Sequence, residues 1–138
     1  EIKKEVEVTT LYSILKKAND FKQEKRRLDY LKSNERFELI TVLQGNFNKK
    51  INFKFPEGAP PYKPKEDPVE LDKKHFNFAP CVNFQSHQWE RESKFINILQ
   101  SVDAKDAEII IAMKDKKLSE MFPKITYETV KQLWPQLL

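Results

Sequence analysis

Two glycines, Gly45 and Gly58, and one cysteine, Cys81, are all that this chain holds of either residue. Scarce glycine removes the usual means of making many tight β-turns, which argues against a sandwich or barrel and for helices. It also removes a phosphate-cradling loop, since neither glycine sits in a Walker-like setting. A single cysteine excludes an internal disulfide and suits a reducing compartment. No apolar run approaches the ~20 residues of a membrane span, so no membrane partner is expected, and no signal-peptide pattern opens the chain. A Gly-x-Ser-x-Gly nucleophile elbow is missing as well. Charge of one sign is missing too: the net charge is only +4, with Lys and Arg interleaved among Asp and Glu, as on a solvated helical surface.

What remains is a chain of 138 residues, 39% hydrophobic and 33% charged, long enough to close one core. No repeat and no domain boundary divides residues 1–138, so a single domain is expected. Residues 1–8 alternate charged and apolar side chains (Ile2, Val6, Val8), as an edge strand or a frayed start does.

Beyond them the apolar period becomes helical. Thr9 or Thr10 caps a first helix with Leu11, Ile14, Leu15 and Ala18 on one face. Asn19 or Asp20 caps a second, with Phe21, Leu28 and Leu31 inward. Ser33 or Asn34 caps a third, which carries Phe37, Ile40 and Leu43 inward and stops at Gly45 in a left-handed conformation. Residues 69–78 read as a short helix ending before Pro80. Ser86 opens the strongest helix, with Trp89, Phe95, Ile96, Leu99 and Val102 buried and Glu90, Arg91, Lys94 and Asn97 outside. Asp103 and Asp106 start another with Ala107, Ile110, Ile111 and Leu118 inward, and Thr126 caps a last one carrying Val130, Leu133 and Trp134. The expected fold is an all-α single-domain bundle, three short N-terminal helices and three longer C-terminal ones.

Between the halves, residues 46–68 form a Pro-rich strap. Five of the eight prolines fall there, each fixing φ and withholding a donor, so no helix runs through. Gly58 gives the bend at Pro-Glu-Gly-Ala its freedom. Ile51, Phe53 and Phe55 alternate, showing one apolar face. The strap is therefore expected to lie across the helical body and to present Phe53, Lys54, Phe55, Tyr62 and Lys63 to a partner.

Candidate chemistry is sparse. His75, Cys81 and His87 are soft ligands, but a structural zinc site wants four with a close pair, and none is present, so no metal and no cofactor is expected. Glu66-Asp67 with Asp72-Lys73-Lys74 has the residue types of a metal-dependent nuclease without the converging strands that chemistry needs. The remaining hint of an enzyme is a pocket collecting Asp72, His75 and His87. Lys22, Lys25, Arg26 and Arg27 on one helix, with Lys49 and Lys50 beside aromatic residues of the strap, are what single-stranded nucleic acid favours: charge for phosphates, rings for stacking. The apolar tail Gln132, Leu133, Trp134, Leu137 and Leu138 has the character of peptides that insert into sliding clamps, or else folds back on the core.

The run Pro56-Glu57-Gly58-Ala59-Pro60-Pro61-Tyr62-Lys63-Pro64 carries a resemblance, joined by Thr41-Val42-Leu43-Gln44-Gly45, Arg91-Glu92-Ser93-Lys94-Phe95, Asp106-Ala107-Glu108, Lys114-Asp115-Lys116-Lys117-Leu118 and Trp134-Pro135. The chain resembles a family of small proteins of unknown function encoded by large tailed bacteriophages, the myoviruses. It departs from the pattern at Asn48-Lys49-Lys50, where an Asp-Pro type turn is expected, and at Trp134, where Phe is. The resemblance transfers no catalytic residue; it implies a phage protein working in the host cytoplasm or in the virion. The expected function is non-enzymatic: an accessory protein that binds phage or host machinery or a virion component. The alternative is binding of single-stranded nucleic acid by lysines and aromatics of the strap.

Overall fold

A computed structural model of the chain describes residues 9–65, 67, 69, 71–82 and 85–138. The strand or frayed start expected at residues 1–8 lies outside them, as do Glu66, Pro68 and Glu70. Among the described residues the fold is all-α with no sheet; the sole β-type contact is an isolated parallel bridge between Lys65 and Asp103.

Three helices open the chain: α1 (Leu11–Asp20), α2 (Glu24–Ser33) and α3 (Phe37–Phe47). α1 begins as its sequence dictates. Thr10 and Ser13 form a capping box, and Leu11, Ile14, Leu15 and Ala18 are all buried. The next two starts fall later than the polar residues suggest. Asn19 and Asp20 finish α1, and Asn19 Oδ1 accepts from Lys124 N at 2.8 Å. Ser33 and Asn34 close α2: both side chains donate back to Tyr30 O, at 2.9 and 2.8 Å. A short polar side chain at a junction can serve either neighbouring helix or a distant segment: Ser33 and Asn34 serve the helix before them, and Asn19 serves the distant segment at Lys124. α2 and α3 consequently begin after Gln23 and Arg36, neither of which caps with its side chain.

Gly45 does not end α3. It lies inside the helix, buried, where a Cβ would stand 2.6 Å from the Met113 sulfur. Its role is the close approach of α3 to α5. Phe37, expected inside, is 48% exposed on the first turn.

The second half holds α4 (Gln88–Ser101), α5 (Ala104–Lys114), α6 (Leu118–Met121) and α7 (Tyr127–Leu133). Helix α5 is the hub, contacting α1, α3, α4 and α6. Being enclosed, it buries Ile109 as well as Ala107, Ile110 and Met113, so one apolar face understates its burial. It ends at Lys114; Lys116 turns left-handed (φ 61°), and Leu118 belongs to the separate helix α6. Thr126 caps α7 through a box with Thr129, and a 3₁₀ turn (Pro135–Leu137) follows. The helix expected over residues 69–78 is instead a 3₁₀ turn (Lys73–Phe76) capped by Asp72, followed by another (Ala79–Cys81). Pro80 and the single turn between polar residues leave no room for α-helical hydrogen bonds.

Two expectations for α4 reverse. Arg91 is buried with Nη1 donating to Ser86 O at 2.6 Å, so Ser86 contributes its carbonyl rather than a cap. Trp89 is 66% exposed. The buried line of α4 is Arg91, Phe95 and Leu99; two residues before Arg91 means about 200° around the helix, so Trp89 faces away from that line.

Candidate functional site

The chain leaves α3 at Phe47 and, after a turn, runs without helix over residues 51–65. Phe53 turns fully inward, 2% exposed, into an aromatic cluster: its ring meets Phe78 edge-on at 6.0 Å and Phe95 at 6.2 Å, and Phe55 packs against Phe95 with the rings tilted, centroids 5.2 Å apart. Ile51 and Phe55 are half-buried against the same core, so the alternating apolar face expected of this stretch is present. These rings fasten the strap by burying apolar surface, on the order of 2 kcal/mol for each side chain fully enclosed.

Beyond Phe55 the strap is fastened by polar groups that its own sequence does not contain. Lys114, at the end of α5, has a side chain only 2% exposed, and its three donors are all used: Pro56 O at 2.6 Å, Gly58 O at 2.8 Å and Asp115 Oδ1 at 2.8 Å. Asp115 returns the contact by accepting from Gly58 N–H at 3.0 Å. A buried ammonium is tolerated because a carboxylate and two carbonyls replace its water. Lys117 pairs with Glu57, and Lys63 N–H donates to Gln100 Oε1 at 3.0 Å. Gly58 itself sits at φ +92°, a conformation that only glycine adopts at no steric cost.

This fastening holds the bend off the surface of α4 and leaves a groove of about 390 Å³. Phe55, Phe95 and Ile96 form its apolar floor, and residues 56–61 form one wall with Pro60 and Pro61. Glu92 stands on the α4 side. Trp89 continues the same line of α4: seven residues from Ile96 bring the direction back to within about 20°, roughly 10 Å along the axis.

The strap residues expected to face a partner divide accordingly. Phe53 is a core residue and is unavailable for docking. Phe55 lines the groove. Tyr62 is half-buried, and burial raises its phenol, with the nearby Glu108 carboxylate adding to the rise. Lys54 and Lys63 are exposed, Lys54 in a left-handed conformation at φ 53°.

Of the basic residues, Lys22, Lys25, Arg26, Lys49 and Lys50 are exposed. Arg27 is not: 7% exposed, it donates from Nε to Ala18 O at 3.2 Å and from Nη2 to Phe21 O at 2.5 Å, closing the end of α1. In the tail, Trp134 is fully buried with Nε1 donating to Glu35, and Leu137 is buried. Leu133 and Leu138 pack against the core, and Gln132, Pro135 and Gln136 are exposed, so the apolar side chains of the tail fold back rather than projecting as a clamp-binding peptide.

The groove is lined by none of Asp72, His75 and His87. Asp72 caps the turn it precedes, accepting from Lys74 N–H, which holds its carboxyl below the usual range. His75 is half-buried, while His87 is exposed as the residue before α4. Among the described residues no group of three or more His, Cys, Asp or Glu side chains converges as a metal site. Cys81 is buried, which pushes its thiol up to about 11 and leaves it protonated. Of the residues that build the groove, Lys114 and Glu92 were missed as site residues by sequence reasoning. Both lie in stretches that carry the family resemblance, but nothing in a lysine followed by Asp115 announces a buried clamp.

Residues 14–120 match the model of DUF6433, described as a family of unknown function. No curated protein and no solved structure matches the chain.

Proposed function

The chain belongs to the DUF6433 family, and we propose that it is a non-enzymatic accessory protein of a tailed bacteriophage that docks a protein partner in the groove between the strap and α4. The phage setting is supported by the resemblance carried by residues 56–64 and the helical motifs around them, and with it we propose a location in the host cytoplasm or the virion. The docking reading is carried by one observation: the groove wall is pre-formed, with every donor of Lys114 and both oxygens of Asp115 committed to holding it. A wall already ordered incurs little entropic cost when a partner arrives. Among the described residues no helix is long and apolar enough to cross a membrane.

Affinity capture from phage-infected cells tests the reading. Tagged wild-type protein is expected to retain a partner polypeptide that Ile96→Glu loses, while circular dichroism shows the variant folded. Equal retention by both proteins would place the contact elsewhere.

A second reading, binding of single-stranded nucleic acid, is supported by the exposed Lys22, Lys25 and Arg26 at the start of α2. Its stacking rings are the weak part, since Phe53 is enclosed and Phe55 half-buried.

A further inference from the structure

The sign of charge around the groove is opposite to that of the chain. Three charged side chains line it: Glu57, Glu92 and Lys114. Lys114 is neutralised by Asp115, and Glu57 is paired with Lys117. Glu92 has a neutral partner only, accepting from Gln88 Nε2 at 2.9 Å, and no cation pairs with it among the described residues. A molecule of net charge +4 therefore offers, at the edge of an apolar floor, a carboxylate that no cation of the described residues compensates. Phosphate is disfavoured at such a place and an ammonium or guanidinium is favoured.

Resting on the docking reading, we infer that the groove takes a cationic, apolar segment of a partner polypeptide. One apolar side chain sits on Phe55 and Ile96 against Pro60 and Pro61, and a Lys or Arg close to it in sequence pairs with Glu92. Glu92 is one turn of α4 from Ile96, about 6 Å along the axis, a distance that two extended residues or one helical turn of a partner spans. Trp89, a further turn away and 66% exposed, gives the aliphatic stem or the guanidinium of that cation a ring to lie on.

Selection of short random displayed peptides on immobilised wild-type protein, with binding then measured by fluorescence anisotropy, tests this. The expected peptides carry an apolar residue with Lys or Arg within about four positions of it. Their affinity is expected to fall about tenfold in Glu92→Gln, and a peptide with that cation changed to Glu is expected to prefer Glu92→Lys over wild type. Peptides lost in Ile96→Glu but indifferent to both changes at Glu92 would overturn the cationic segment and leave groove docking standing. Peptides that bind wild type and Ile96→Glu equally, or no selected peptide at all, would remove groove docking itself. A concentration-dependent dimer in sedimentation, abolished by Ile96→Glu, would assign the groove to a second copy of this chain and overturn the proposal.

Discussion

Asp106 carries two helix starts at once. It lies in the first turn of α5, and its carboxylate accepts from Leu11 N–H at 3.1 Å and Tyr12 N–H at 2.8 Å, satisfying orphan amides at the start of α1. Burial pushes its carboxyl up to about 6 from 3.8, the two amide bonds pull back, and Asp103 adds to the rise. A value raised in the folded state means that the folded protein holds the proton more tightly. The corresponding stability is fully present below pH 3.8 and is lost as pH rises through about 6. Asp106→Asn removes this titration and one of the two accepted bonds, at a cost of about 1–2 kcal/mol. Urea denaturation across pH is expected to show the wild-type advantage over the variant narrowing between pH 4 and 7, and a constant gap would contradict the assignment. Gly45 gives a second test. Alanine inside a helix gains about 1 kcal/mol over glycine, but its Cβ would crowd Met113 in the core, where overpacking costs about 1–3 kcal/mol. Gly45→Ala is expected to destabilise wild type by up to about 2 kcal/mol and to stabilise a Met113→Ala background, a sign change that a double-mutant cycle reads directly.

At the scale of elements, the strap is held by backbone conformation and by one buried cation, and the two are separable. No atom beyond the adjoining residues lies within 4 Å of a Cβ built on Gly58, so Gly58→Ala costs only the left-handed backbone, about 1–2 kcal/mol. Lys114→Ala leaves Asp115 uncompensated and two carbonyls without their donor, and should cost about 3–5 kcal/mol. Hydrogen exchange at Gly58 N–H is expected to speed up in the lysine variant; unchanged protection there would mean that the rings at Phe53 and Phe55 hold the bend unaided. The strap was legible because proline acts locally: fixed φ and missing donors exclude a helix whatever surrounds them. The caps at Thr10, Asp103 and Thr126 were legible for the same reason. Starts assigned to Asn19 or Asp20, Ser33 or Asn34, and Ser86 failed because these residues bond elsewhere: Asn19 accepts from Lys124 N–H, Ser33 and Asn34 donate back to Tyr30 O, and Ser86 O accepts from the Arg91 side chain. Arg27 and Arg91 failed differently, and Lys114 went unnoticed for the same reason. A long cation reads as surface until the carbonyls of another segment are placed around its head group, and that placement belongs to tertiary structure.

For the whole molecule, the exposed Lys22, Lys25 and Arg26 cluster and the acidic edge at Glu92 predict opposite partners. If the basic cluster carried function, oligonucleotide binding at about 50 mM salt would be readily seen and would fall steeply as salt rises. The account given for the groove predicts little such binding, and the same weak level after Lys22, Lys25 and Arg26 are changed together to Ala. The groove itself was only half legible. Its strap wall was read from Pro56 to Pro61, whereas its floor depends on Ile96 lying beside, and not beneath, the line of Phe95 and Leu99 on α4.

Mapping amide chemical shifts of the isotope-labelled protein as the captured partner is added tests the docking claim most directly. The account predicts shifts concentrated at Gly58, Ala59, Glu92 and Ile96 and in the indole N–H of Trp89, with Lys22 to Arg26 unmoved. Shifts confined to Lys22, Lys25 and Arg26 over an unperturbed groove would contradict it.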